Sequence, residues 1–180
     1  GIRPKTFVAE NVAGLVRGKA KGYFNEIIRE LRASGYHVEA KVLDAKYLNV
    51  PQQRNRLIFV GVRDDLYTPD MKGKLHPRPV NNIITASEAF NDLVFTDQDR
   101  KETDMGNTMT AQRTRETLPG KAHHKRFSLL KLHPDQVSQC FVATNDVNSN
   151  GLKHWDNRAL TISEIKRIAS LPDDYVLTGT

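Results

Sequence analysis

The first third of this chain reads as part of an α/β sheet, and three observations predict it. Lys5 to Val12 is rich in β-forming residues and runs into a polar break, with a turn at Gly14. Tyr23, Phe24, Ile27, Ile28 and Leu31 recur at helical spacing, and Leu57 to Val62 is a continuous apolar run. Together with a second strand between helix and apolar run, the order strand, helix, strand, strand makes part of an α/β sheet.

Each element has its own local cause. The helix predicted around Tyr23 to Leu31 turns Glu26, Glu30 and Arg32 to its other face, and Gly35 stops it. Val38, Ala40 and Val42 alternate with His37, Glu39 and Lys41, the pattern of a half-buried strand. The run from Leu57 to Val62 reads as a strand covered on both faces. After Arg63 the texture changes: Pro69, Pro77 and Pro79 appear among many Gly, Asn, Asp and Thr residues, with one predicted helix around Ala86 to Leu93. Order returns at Thr161-Ile162-Ser163-Glu164, a capping box that opens a helix expected to bury Ile162, Ile165 and Ile168 and to stop at Pro172. The predicted organisation is residues 1–63 as a first domain, 64–155 as an irregular second region, and 156–180 as a return helix.

At 180 residues the chain is long enough to bury a core, and 38% hydrophobic with 27% charged residues argues against wholesale disorder. Its mean hydropathy is −0.54, and no apolar run approaches the roughly 18 residues of a membrane span. A single cysteine, Cys140, allows no intramolecular disulfide. A reducing compartment, cytoplasmic or nuclear, is therefore expected. No secretory signal is visible at the N-terminus, and the chain starts at Gly1 without Met, which reads as a cut piece.

Formal net charge is +6, and its distribution says more than its size. Between Ala111 and Lys131 the cations Arg113, Arg115, Lys121, Lys125, Arg126 and Lys131 face the single acid Glu116, a local charge of +5. Such a stretch is either a solvated loop or a surface for a polyanion. Glu10 stands at the carboxyl end of the first strand, where open α/β sheets place ligand contacts and where structural carboxylates also occur. Before the apolar strand, Pro51-Gln52-Gln53-Arg54-Asn55-Arg56 alternates two arginines with polar residues. Two such guanidiniums suit fork-like hydrogen bonding or simple surface ion pairs.

Four segments occur in order: Pro4-Lys5-x-Phe7-Val8-x-Glu10-Asn11-Val12, Gly35-Tyr36-x-Val38, Val50-Pro51-Gln52-x-Arg54-x-Arg56, and Arg158-x-Leu160-Thr161-x-x-Glu164-x-x-Arg167 running on to Pro172-Asp173-Asp174-Tyr175. This set resembles the DNA cytosine-5 methyltransferases. The resemblance implies part of a Rossmann-like, S-adenosylmethionine-dependent sheet and a smaller, irregular, β-rich target-recognition domain. It implies duplex DNA as partner, with the target cytosine flipped out of the stack. In that chemistry a cysteine thiolate adds to C6 of the base, C5 takes the methyl group, and loss of the C5 proton releases the thiol.

Carried over by motif, Glu10 holds and protonates the ring at N3, Arg56 donates to O2, and Arg54 braces the catalytic loop. Asn11 and Gln52 support the site, as do Arg158 and Thr161. In the recognition region the family carries a Thr beside the flipped base; Thr108 fits by residue type, and Cys140-Phe141 with Thr144 fits by distance to Arg158. Arg113, Arg115, Lys125 and Arg126 are expected on phosphates or base edges, as are His123 and His124. No metal site is expected, and Trp155 is expected to pack rather than stack on a base. The family's glycine-rich cofactor motif and Pro-Cys nucleophile loop have no counterpart in these residues. Cys140 is expected to be buried and inert. Three readings follow: a methyltransferase portion that works with an N-terminal part or another chain and is inactive alone, a non-catalytic DNA-binding module from a split or decayed gene, and, less supported, a basic RNA-binding domain.

Overall fold

The computed structural model describes residues 2–141 and 147–178. It holds two compact units, one formed by residues 1–44 and 54–80, the other by 45–53 and 81–180. Packing thus groups 64–80 with the first unit and 156–180 with the second.

In the first unit, β1 (Thr6–Val12), α1 (Lys21–Ala33) and β2 (Tyr36–Asp44) form the expected strand, helix and strand, and β4 (Asn55–Arg63) lies between the two strands. The sheet order is β1-β4-β2, with β4 antiparallel to both neighbours. Phe24, Ile27, Ile28 and Leu31 of α1 pack on Tyr36, Val38, Leu57 and Phe59, the buried centre of this unit. Tyr23, expected on the same stripe, is exposed. Gly35, with φ of 87°, takes the left-handed turn that lets α1 reverse into β2. Gly61 is needed for a different reason: a Cβ there would sit 2.0 Å from the Phe7 ring that crosses it.

The other face of this sheet is covered in part. Residues after Arg63 return across β2 and β4, where Tyr67 stacks on His37 at 3.6 Å between ring centroids. The Gly73 N–H donates to Glu39 at 2.7 Å, and His76 Nε2 donates to the Ile58 carbonyl at 3.0 Å. β1 stays open on that face, with Val8 71% and Val12 59% exposed.

The second unit is built from short pieces. β3 (Gln52–Gln53) pairs in parallel with β7 (Ser138–Gln139), and β6 (Arg126–Lys131) lies between β5 (Ala122–His123) and β8 (Leu152–Lys153). Four helices join them: α2 (Ala86–Phe90), α3 (Asp97–Thr103), α4 (Met109–Glu116) and α5 (Ile162–Ile168). Ala86, Ala89, Phe90, Leu132, Leu152, Leu160 and Ile168 form the core, with Trp155 packed on it. Capping boxes open α2 at Thr85, α3 at Thr96 and α5 at Thr161.

Two details of α5 differ from the sequence reading. Ile162 is exposed, because at the first helical position its side chain lies outside the short stripe that buries Glu164 and Ile168. The helix also ends before Pro172. Ser170 turns left-handed at φ 56°, and the N–H groups of Ser170 and Leu171 donate to the carbonyls of Arg167 and Lys166, a Schellman closure with serine where glycine is usual.

Candidate active site and nucleic-acid surface

Strand register brings Glu10 and Arg56 together. Glu10 is opposite Ile58 and Val12 is opposite Arg56, so Glu10 and Arg56 are diagonal neighbours on one face of the antiparallel pair. Arg56 Nε lies 2.5 Å from Glu10 Oε1 in an ion pair, and Arg56 Nη1 donates to its neighbour's carbonyl at Asn55. The carboxylate is about half exposed, so solvent screens the pair and its worth to stability is below about 1 kcal/mol. The exposed Val8 and Val12 flank it along β1. A carboxylate and a guanidinium thus stand side by side on an open, otherwise apolar strand face.

The supporting residues take separate places. Asn11 points to the opposite face of β1, and its Oδ1 accepts from the Val12 N–H at 2.8 Å, where the strand gives way to a 3-10 turn. The Arg54 N–H donates to Asp44 Oδ1 at the end of β2, which fixes the chain just before β4. Gln52 is buried in β3, in the second unit, so the Gln-x-Arg-x-Arg run passes from one unit into the other.

Arg158 and Thr161 converge on Glu164. Arg158 donates through both terminal nitrogens, at 2.9 and 2.6 Å, while the Thr161 N–H donates at 2.8 Å and the Thr161 hydroxyl accepts from the Glu164 N–H. One buried carboxylate therefore completes a helix cap and an arginine fork. His154 lies against it, with Nε2 3.5 Å from Glu164 Oε1. Burial, together with the Arg158 charge, pushes His154 down to about 3. Its Nδ1 accepts from the Asp156 N–H at 3.1 Å, as a neutral ring requires.

The basic residues gather on α4 and on the β5 and β6 hairpin, which touch. Thr108 caps α4: its hydroxyl accepts from the Ala111 N–H and donates to the Met105 carbonyl. Arg113 is half-buried, while Arg115 is exposed and donates to the Gly106 carbonyl at 2.9 Å. Lys125 and Arg126 are exposed at the hairpin turn. His123, expected on DNA, is 3% exposed and faces Glu116 at 3.4 Å, so of the histidine pair only His124 is open to solvent. Thr144 lies outside the described residues. Cys140, expected to be buried, is only half-buried. Among the described residues no group of three or more His, Cys, Asp or Glu could hold a metal, and no helix is long and apolar enough to cross a membrane.

The family model of C-5 cytosine-specific DNA methylases matches residues 1–180. The chain belongs to that family. The type II methyltransferase M.BbvI of Brevibacillus brevis is 31% identical over 197 residues, covering 98% of this chain and 51% of the relative. M.BspRI of Lysinibacillus sphaericus is 29% identical over 194 residues, covering 97% of this chain and 42% of the relative. The chain thus spans about half the length of the curated relatives it matches. Among solved structures, the Dnmt2 methyltransferases of Schizosaccharomyces pombe and Spodoptera frugiperda share its fold, with TM-scores of 0.58 and 0.60 at 16% and 14% identity. They cover 94% and 97% of this chain, which covers 55% and 58% of theirs.

What the sequence missed has physical causes. The partnership of Glu164 with Arg158 is local and follows from the motif. The burial of His123 left no signal, since it depends on how the hairpin folds against α4.

Proposed function

We propose that this chain supplies the cytosine-holding part of the pocket and the target-recognition unit of a modification methyltransferase. The protein would transfer a methyl group from S-adenosylmethionine to C5 of a flipped cytosine in duplex DNA. The observation that carries this reading is the pairing of Glu10 with Arg56 on the open face of β1 and β4. A cytosine entering there breaks their ion pair and takes both groups: Glu10 holds the N3 edge and its proton, and Arg56 donates to O2. Arg54 braces the neighbouring loop, Asn11 the strand end and Gln52 the approach to β4. The division of labour follows the two units: residues 1–44 and 54–80 for the pocket, and 45–53 with 81–180 for recognition, with Thr108, Arg113, Arg115, Lys125 and Arg126 toward DNA and the return helix held by Arg158 and Thr161.

S-adenosylmethionine supplies an electrophilic methyl group when bound. In this reading its pocket lies mostly outside this chain, since the turn after β1 carries Gly14, Gly18 and Gly22 without the family's glycine-rich cofactor pattern. The Pro-Cys nucleophile loop is likewise not among these residues, and Cys140, preceded by Gln139, does not replace it. The proposed partners are duplex DNA and an N-terminal methyltransferase portion or another chain, and the proposed compartment is the cytoplasm.

The test is reconstitution with the upstream half of one of the longer relatives, reading tritiated methyl transfer to duplex DNA. Transfer is expected only when both parts are present. In the pair, Glu10→Gln should slow the chemical step by about 10²-fold or more while DNA affinity holds. Transfer by the 180 residues alone would overturn the reading, and equal losses of rate and affinity would make Glu10 structural. DNA binding that no upstream half converts into transfer would favour a non-catalytic DNA-binding module.

A further inference from the structure

β5 and β6 form a two-stranded ribbon, with His123 opposite Arg126, Ala122 opposite Leu130 and a bulge between the two pairs. His124 and Lys125 make its turn. Strand alternation puts Phe127, Leu129 and Lys131 on one face, and Leu129 and Lys131 are buried there. Phe127 points the same way but lies beyond the core, 81% exposed. His124, Lys125, Arg126 and Ser128 around it are exposed as well.

The tip is not a loose loop. Buried His123 accepts from the Lys125 N–H through Nδ1 at 3.2 Å and turns Nε2 toward Glu116 of α4 at 3.4 Å. One imidazole therefore shapes the turn and ties the ribbon to the helix that carries Arg113 and Arg115. A large aromatic held in the open on a fixed, cationic ribbon needs an occupant that is anionic outside and apolar within.

We propose that this ribbon enters the major groove of duplex DNA and that Phe127 reads a thymine through its C5-methyl group. The proposal rests on the reading above that this unit binds DNA. A two-stranded ribbon fits the major groove, and phenylalanine offers base edges no hydrogen bond. The thymine methyl is the apolar feature a base pair presents there. Lys125 and Arg126 at the turn then meet phosphates, which positions the ribbon, while Phe127 specifies.

The experiment selects preferred duplexes for the 180-residue chain from a random-sequence pool. Each thymine of the selected duplex is then replaced in turn by uracil, which lacks only the methyl group. One substitution is expected to weaken the unaltered chain roughly fourfold, the worth of one buried methyl, and to leave F127A indifferent. F127L should retain part of the discrimination, and the salt dependence of all three should coincide, since no phosphate contact is removed. Because Phe127 is exposed, neither variant should disturb folding. If no uracil probe separates the unaltered chain from F127A, Phe127 does not read thymine although DNA binding stands. A DNA bend that F127A abolishes would instead make Phe127 a minor-groove wedge and overturn the proposal. Failure of the unaltered chain to bind any duplex overturns the DNA-binding reading and this proposal with it.

Discussion

At the scale of single residues, Glu164 and His154 show how a sequence motif becomes a stability device with a pH signature. Glu164 is legible in the sequence because its partners are local: Thr161 three residues before it, and Arg158 six. His154 is not legible, since its burial against Glu164 depends on β8 and α5 meeting. Its consequence can be worked out. In the unfolded chain His154 takes a proton near its ordinary value of 6.5, and in the folded chain not until about 3. Below pH 6.5 the unfolded state therefore binds more protons, and the folded state loses stability as pH falls through the window from 6.5 to 3. The groups facing the ring are Arg158, which opposes its charge, and Asp156 and Glu164, which favour it. The loss should be about 1 kcal/mol per pH unit. His154→Gln, neutral throughout, should flatten the decline of the urea midpoint between pH 7 and pH 5. Parallel declines in both proteins would remove His154 from the account.

At the scale of elements, what the sequence hid was helix without an apolar stripe. α3 reads Asp-Gln-Asp-Arg-Lys-Glu-Thr and buries only Thr103, so periodicity has nothing to report; the signal lay in Thr96 and Asp99, a capping box in unpromising company. α4 buries Thr110, Ala111 and Thr114, small and polar residues that a hydrophobicity pattern passes over. The long strands of the first unit were easier, because Leu57 to Val62 and the alternation of Tyr36, Val38 and Ala40 follow burial, although Val42, expected on the same face, is exposed. The closure of α5 supports a test at this level. A left-handed serine costs about 1 kcal/mol that glycine does not, and glycine returns part of it as freedom in the unfolded chain. Ser170→Gly is expected to stabilise the protein by about 0.5 kcal/mol, seen as a rise in thermal midpoint; a fall would mean that the Ser170 side chain contributes more than its backbone loses.

At the scale of the whole molecule, the first unit carries its own hydrophobic centre but leaves the β1 face open at Val8 and Val12. Open strands of this kind pair with other chains. The 180 residues by themselves are expected to self-associate, with light scattering giving a mass above 20.4 kDa. Charges at both valines, Val8→Lys with Val12→Lys, should reduce that mass; a monodisperse monomer of the unaltered chain would show that the face tolerates water.

The nine residues 45–53 sit in the sequence of one unit and in the packing of the other, where β3 joins β7 through Gln52 opposite Ser138. Neither unit is therefore a continuous stretch of gene. A recombination event that exchanges everything after a single crossover near residue 80 transplants a second unit stripped of its β3 strand. That unit can be grafted whole only by two exchanges, or by a donor whose residues 45–53 already suit the host. Exchange of second units between relatives is thereby confined to donors that match at β3, and a chimera engineered at one junction should fold only when this segment travels with its β7 partner.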